Sequence, residues 1–92
     1  AEVQYRIAMT YALEGKLPEA AGVYRVVIER WSESSYAVEA SFGLATVLEE
    51  QEELVEALKI LEDLKGIYPK EDILTRKTEQ VRERIEKKKK AI

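Results

Sequence analysis

The chain contains no cysteine and no histidine among its 92 residues. The absence of cysteine excludes disulfides, thiolate nucleophiles and thiolate metal sites, and it is compatible with the cytoplasm and with the periplasm alike. The absence of histidine removes the commonest general base and the commonest metal ligand together. We therefore expect a non-enzyme, with no catalytic residues, no metal site and no cofactor.

Long apolar runs are also missing. The run Val26-Val27-Ile28, near the middle of the chain, is far shorter than the roughly 18 to 20 residues that a membrane-spanning helix needs. Hydrophobic residues make up 46% of the chain and charged residues 36%. This balance predicts a folded, soluble domain without a membrane span, because a disordered chain would carry less apolar material.

Glycine and proline are scarce, and they interrupt segments whose apolar residues have helical spacing. The four interrupting residues are Gly15, Pro18, Gly66 and Pro69. The spacing predicts helices over residues 2–14, 17–31, 35–50, 54–68 and 71–90. Because the turn at residues 50–53 lacks glycine, we expect it to be less sharp than the turn at Gly15.

One pattern occurs twice, with a period of 37 residues from Ala8 to Ala45. Ile7-Ala8-x-x-Tyr11 followed by Ala20-x-x-x-Tyr24 corresponds to Leu44-Ala45-x-x-Leu48 followed by Ala57-x-x-x-Leu61. A repeated helix pair cannot bury its apolar stripe alone, so repetition predicts a stacked array whose exposed inner face is the usual working surface.

These spacings resemble the tetratricopeptide repeat family, whose helix-turn-helix unit follows a W-x2-L-G-x2-Y, A-x3-F, P pattern. Pro69 fits the proline of the pattern, whereas Gln4 and Ser41 replace its tryptophan and Ser32 replaces the proline of the first repeat. The resemblance implies an all-α fold with two antiparallel helix-turn-helix repeats, over residues 1–34 and 35–69, and a C-terminal capping helix over residues 70–92.

The entry into the third helix, Ser-Tyr-Ala-x-Glu-Ala, and the closing Tyr68-Pro69 narrow the resemblance further. They are similar to repeats of bacterial cell-envelope proteins, including the Tol-Pal coordinator and outer-membrane assembly lipoproteins. The sequence leaves the compartment of this chain open.

The family resemblance also implies a concave groove that binds a protein or peptide partner. Its positions in this chain are Tyr5, Met9, Ala12, Leu13, Glu39, Phe42, Thr46 and Glu49. The alternative is that these side chains pack against neighbouring repeats or a second copy in a homo-oligomer. Some relatives grip a partner's C-terminal carboxylate with Lys, Arg and Asn in the groove, and because these positions hold Tyr, Met, Thr and Glu here, we expect no such clamp. An acidic and apolar groove favours a basic or apolar partner segment.

Two charge clusters have alternative interpretations. The carboxylates of Glu49, Glu50, Glu52 and Glu53 could bind a divalent cation, but a solvated turn is the preferred interpretation because no Asp or Gly shapes a loop around them. The run Lys87–Lys90 could bind nucleic acid or anionic lipid, or it could drive head-to-tail self-association. We prefer a solvated helix end, where cations complement the helix dipole, and expect no nucleic-acid partner.

Overall fold

The computed structural model describes residues 1–90. Within this range the chain forms five helices and no strand. The helices are α1 (Glu2–Leu13), α2 (Leu17–Arg30), α3 (Ser35–Glu50), α4 (Leu54–Asp63) and α5 (Glu71–Lys90). The prediction of an all-α helical repeat fold is therefore confirmed. No helix of the described range has the length and apolarity required to span a bilayer.

The two helix pairs close through turns of the same geometry. Gly15 has φ 77° and Glu52 has φ 66°, so both residues adopt the left-handed conformation. In each turn the next amide donates back into the preceding helix, from Lys16 to the Tyr11 carbonyl at 2.9 Å and from Glu53 to the Leu48 carbonyl at 2.8 Å. The expectation of a less sharp second turn is wrong, because Glu52 occupies the conformation that glycine adopts in the first.

The fourth helix ends at Asp63 rather than at residue 68, which corrects the predicted boundary. Gly66 has φ 80°, and this left-handed residue cannot continue an α-helix. The amide of Tyr68 donates to the Leu64 carbonyl at 2.9 Å, so the chain makes a tight turn after α4. This turn brings the Tyr68 side chain back onto the core, where it is buried.

Each helix packs mainly on its neighbours in the chain, and α1 also contacts α3. The small residues of the repeated pattern lie in the buried interior between the helices. Ala8, Ala20, Ala45 and Ala57 are all 0% exposed. A larger side chain at any of these points would push the helix backbones apart, since the interior is close-packed.

Helix α5 covers the end of the stack with a narrow apolar stripe. Leu74 and Val81 are buried, and the hydroxyl of the buried Thr78 donates to the Leu74 carbonyl at 2.8 Å. Most of the remaining surface of α5 is charged and exposed. A helix of this kind closes a helical array because its outer face is already suited to water.

Candidate partner-binding groove

Four aromatic side chains form a surface that we call the aromatic floor: Tyr5 of α1, Tyr36 and Phe42 of α3, and Tyr68. The rings of Tyr5 and Tyr36 lie 5.7 Å apart between centroids with a tilt of 49°. The rings of Phe42 and Tyr68 are stacked, with centroids 4.7 Å apart and planes 13° apart. Tyr5, Tyr36 and Phe42 are half-buried, so they keep surface available for a partner.

Tyr24 supports this floor from below. Its ring centroid lies 6.1 Å from that of Tyr5, and its side chain is buried. The phenol end rests on Gly43 of α3, where an added Cβ would lie 2.5 Å from Tyr24 Cζ. Burial, followed by the neighbouring Tyr5, raises the pKa of Tyr24 to about 12. Tyr24 is therefore a structural element that fixes the position of Tyr5.

Glu39 supplies the negative charge of the floor. Burial raises the pKa of Tyr5 and of Tyr68, and the charge of Glu39 raises both further, so its carboxylate lies within electrostatic range of the two hydroxyls. Within residues 1–90, no lysine or arginine forms a salt bridge with Glu39. An unpaired carboxylate beside aromatic faces suits a cationic side chain, which both groups attract.

Helix α5 forms a wall beside the floor. A cleft of about 370 Å³ lies between α3 and α5, lined by Phe42, Thr46, Ile73, Arg76, Lys77 and Gln80. The predicted positions Phe42 and Thr46 therefore share a cleft with four residues that the sequence analysis did not assign to a site. Thr46 is half-buried, and its hydroxyl donates to the Phe42 carbonyl at 3.1 Å.

The predicted positions of α1 differ in their exposure. Met9 is 40% exposed and Leu13 is 87% exposed, whereas Ala12 is half-buried beside the core. Met9 and Leu13 thus offer apolar surface to a partner, while Ala12 contributes little side chain. Whether a partner uses these residues stays a prediction.

Glu49 lies in the interior of the domain, with only 3% of its surface exposed. Its carboxylate accepts hydrogen bonds from Lys77 Nζ at 2.9 Å, Gln80 Nε2 at 2.7 Å and Arg84 Nη1 at 3.1 Å. Burial alone would raise the pKa of Glu49, but the three hydrogen bonds and the charge of Lys77 outweigh burial and lower it. In this conformation Glu49 fastens α5 to α3 and presents no free oxygen to a partner.

The acidic turn is consequently not simply solvated, which corrects the interpretation of Glu49 and Glu52 as exposed charges. Glu52 pairs with Arg84 at 2.6 Å and with Lys88 at 3.6 Å. Over residues 1–90, no cluster of three or more acidic side chains could hold a metal ion. Lys87, Lys89 and Lys90 are exposed at the end of α5, as expected for a solvated helix end.

Tyr36, Tyr68 and the wall of α5 are the parts of the candidate groove that sequence reasoning missed. The local signal was Tyr68-Pro69, an aromatic residue followed by a proline shortly before α5 begins at Glu71. The pattern of α5 indicated only its buried stripe. Its groove-facing polar residues depend on how α5 packs on α4 and lies beside α3, which no local pattern contains.

The family model for the tetratricopeptide repeat matches residues 2–34 and 39–71. Comparison with curated proteins and with solved structures found no match. The first matched segment contains α1 and α2, and the second contains most of α3 and all of α4. Together they cover more than half of the residues, and the chain belongs to the tetratricopeptide repeat family.

Proposed function

We propose that this chain binds a protein or peptide partner in the groove formed by α1, α3 and α5, with the aromatic floor at its centre. Tetratricopeptide repeats generally mediate protein–protein interactions. The observation that carries the proposal is the half-exposed surface of Tyr5, Tyr36 and Phe42 beside the cleft at α5. Aromatic side chains give a partner a large contact area at a low cost in conformational entropy.

The charges of the groove favour a partner segment with a basic residue among apolar ones. Glu39 has no salt-bridge partner in the described range, whereas Lys77 and Arg84 of α5 both bind Glu49. Arg76, which also lines the cleft, lies 3.9 Å from Asp72, and both of these side chains are largely exposed, so this pair is weak. A lysine or arginine of the partner would therefore be attracted by Glu39 without facing unpaired charges from Lys77 or Arg84.

We also infer that these repeats are of the bacterial cell-envelope variant. The support is the period of 37 residues and the closing Tyr68-Pro69. In the structure Tyr68 stacks on Phe42, so this part of the variant pattern contributes directly to the aromatic floor. Sequencing of the surrounding gene, with a search for an export signal, tests this assignment.

The experiment is a selection of peptides of about 12 residues on the immobilised chain, followed by titration of selected peptides into the labelled protein and NMR chemical-shift mapping. We expect selected peptides to combine Lys or Arg with apolar residues and to shift resonances of Tyr5, Glu39 and Phe42. Glu39→Gln should weaken binding about fivefold to tenfold, because one charge contact at a partly hydrated site is worth about 1 kcal/mol.

The matched control is Glu33→Gln, which removes the same charge from an exposed turn outside the groove. It should leave the affinity unchanged. Met9→Ala removes exposed apolar surface and should weaken binding without unfolding the domain, since Met9 is outside the buried core. Shifts confined to other faces, or equal effects of Glu39→Gln and Glu33→Gln, would contradict the proposal.

A further inference from the structure

A second cleft lies on another face of α3 and includes none of the aromatic floor. Its volume is about 690 Å³, within the range of roughly 300 to 1,000 Å³ that is typical of binding pockets. Helices α2, α3 and α4 and the turn after α4 form it. Its apolar lining consists of Ile28, Ala37, Val38, Leu44, Ile60, Leu64 and Ile67.

At this cleft the second repeat has a shorter second helix than the first. Helix α2 has 14 residues and α4 has 10. Gly66, with φ 80°, ends the helical path where α2 continues by a full turn in the first repeat. As a result Ile60 is only half-buried and Ile67 is 60% exposed.

One ion pair ties the two sides of the cleft together at the start of α4. Arg25 of α2 lies 3.2 Å from the carboxylate of Glu56, so the single cation in the lining is neutralised within the domain. The hydroxyl of Ser41, which also lines the cleft, donates to the Ala37 carbonyl at 2.9 Å. These polar groups are therefore satisfied before any ligand arrives.

The opposite holds for the two acidic residues of the rim. Glu29 and Asp63 are exposed, and neither takes part in a salt bridge within residues 1–90. Each lies in the last turn of its helix, where the unpaired backbone carbonyls add partial negative charge. The cleft thus combines an apolar base with a rim of net negative potential.

We propose that this cleft is a second docking surface, and that its occupant is a basic amphipathic helix of a partner protein. Aliphatic side chains of that helix enter between α2 and α4, and its lysines or arginines lie beside Glu29 and Asp63. A second copy of this chain fits less well. The exposed apolar residues of α1, Val3 and Ile7, lie on a helix whose charges are already paired, Arg6 with Glu2 and Lys16 with Glu14, so this helix brings no excess of basic charge to the acidic rim.

The probe is a synthetic helical peptide of about 14 residues with leucines at i, i+3, i+4 and i+7 and lysines on the flanks. Trp31, the only tryptophan, follows α2 next to Ser32 of the cleft lining, so its fluorescence reports binding of a tryptophan-free peptide. We expect saturable binding, with NMR shifts at Ile28, Val38 and Ile60. A peptide in which glutamates replace the lysines should bind at least tenfold more weakly.

The test variant is Glu29→Lys with Asp63→Lys, and the matched control is Glu79→Lys with Glu83→Lys on the exposed surface of α5. Both double variants change the net charge equally, so a general electrostatic effect lowers affinity in both. We expect a loss of tenfold or more in the test variant and less than threefold in the control, with circular dichroism unchanged.

Four results would overturn the proposal. They are absence of saturable binding, equal affinity for the lysine and glutamate peptides, equal losses in the two double variants, and shifts that map to Tyr5 and Phe42 instead of the cleft. Light scattering that shows a dimer dissociated by Glu29→Lys with Asp63→Lys would assign the cleft to a second copy and overturn it as well. Apart from the shift mapping, none of these measurements involves the groove at the aromatic floor.

Discussion

Replacing Gly43 by alanine should destabilise the domain, although alanine is the better helix former. Gly43 lies inside α3, and a Cβ built on it would be 2.5 Å from Cζ, 2.7 Å from Cε1 and 2.8 Å from the hydroxyl oxygen of Tyr24. Favourable carbon–carbon contacts have separations of roughly 3.5 to 4.0 Å. The Tyr24 ring must therefore move by about 1 Å or the helices must separate.

The ring has little room to move. Tyr24 is 4% exposed and its ring lies against Tyr5, so a shift disturbs the packing beneath the aromatic floor. Overpacking of this kind costs about 1 to 3 kcal/mol. The gain in helix propensity from glycine to alanine is about 1 kcal/mol. We expect a net destabilisation of about 1 to 2 kcal/mol, taking the clash from the upper part of its range.

Gly22 provides the matched control in the same domain. It lies inside α2, and a Cβ added there would meet no atom within 4 Å. Gly22→Ala should therefore stabilise the domain by about 0.5 to 1 kcal/mol, and the two substitutions should differ by about 2 to 3 kcal/mol. Urea unfolding followed by circular dichroism measures both values.

A third variant shows whether Tyr24 is the cause. In a Tyr24→Leu background, Gly43→Ala should lose most of its cost, because leucine lacks the ring atoms nearest to the added Cβ. If Gly43→Ala stabilises the domain as much as Gly22→Ala does, the contact between Tyr24 and Gly43 is not as close as the structure shows. If its cost persists without the ring, the clash is with another group.

Five other substitutions test the polar interior, the buried Tyr24 and the first turn. Glu49→Ala should destabilise the domain by about 2 kcal/mol in urea unfolding, because Lys77 loses its counterion and Arg84 keeps only Glu52. Glu50→Ala, at an exposed residue, should stay within about 0.5 kcal/mol. The pKa of Glu49 is lower in the folded state than in the unfolded state, so the ionised carboxylate adds to the free energy of unfolding above the unfolded pKa of about 4.3. This stabilisation is lost as the pH falls through the folded pKa. Glu49→Gln should therefore make the free energy of unfolding depend less on pH in this acidic range. Burial raises the pKa of Tyr24 to about 12 in the folded state, so the neutral phenol adds fully to the free energy of unfolding below the unfolded pKa of about 10. This stabilisation is lost as the pH rises through the folded pKa. Tyr24→Phe should therefore make the free energy of unfolding depend less on pH in this alkaline range. Gly15→Ala should cost about 1 to 2 kcal/mol in the same assay, because Gly15 has φ 77°.

Local patterns predicted most helix boundaries because the apolar spacing and the glycines and prolines are themselves local. They failed at the end of α4, where Leu64, Ile67 and Tyr68 continue a helical spacing although Gly66 reverses the backbone. The spacing alone does not distinguish a last helical turn from a tight turn that buries the same side chains. The sharp turn at Glu52 could not be predicted from local sequence, because Arg84, which binds this left-handed residue, belongs to a helix far along the chain.

The residues of the candidate groove also differ in whether local sequence could predict them. Helical spacing placed Tyr5 and Phe42 on one surface because it fixes directions around a single helix. Helical spacing could not show which other helix packs over each face of α1 or α3. Glu49 has a spacing compatible with the groove, yet α5 packs over it and supplies three donors. Tyr68 reaches Phe42 only because α4 ends early.

The two proposed docking surfaces differ in their dependence on α5, and this difference separates them experimentally. The cleft between α2 and α4 contains no residue of α5, whereas the groove at the aromatic floor takes a wall from it. Glu49 holds that wall through Lys77 and Arg84. Glu49→Gln, measured at neutral pH where the domain stays folded, should therefore weaken a peptide bound at the floor and leave the basic helical peptide in the cleft unaffected. Equal losses at both surfaces would mean that α5 stabilises the whole stack and does not act as the wall of one groove.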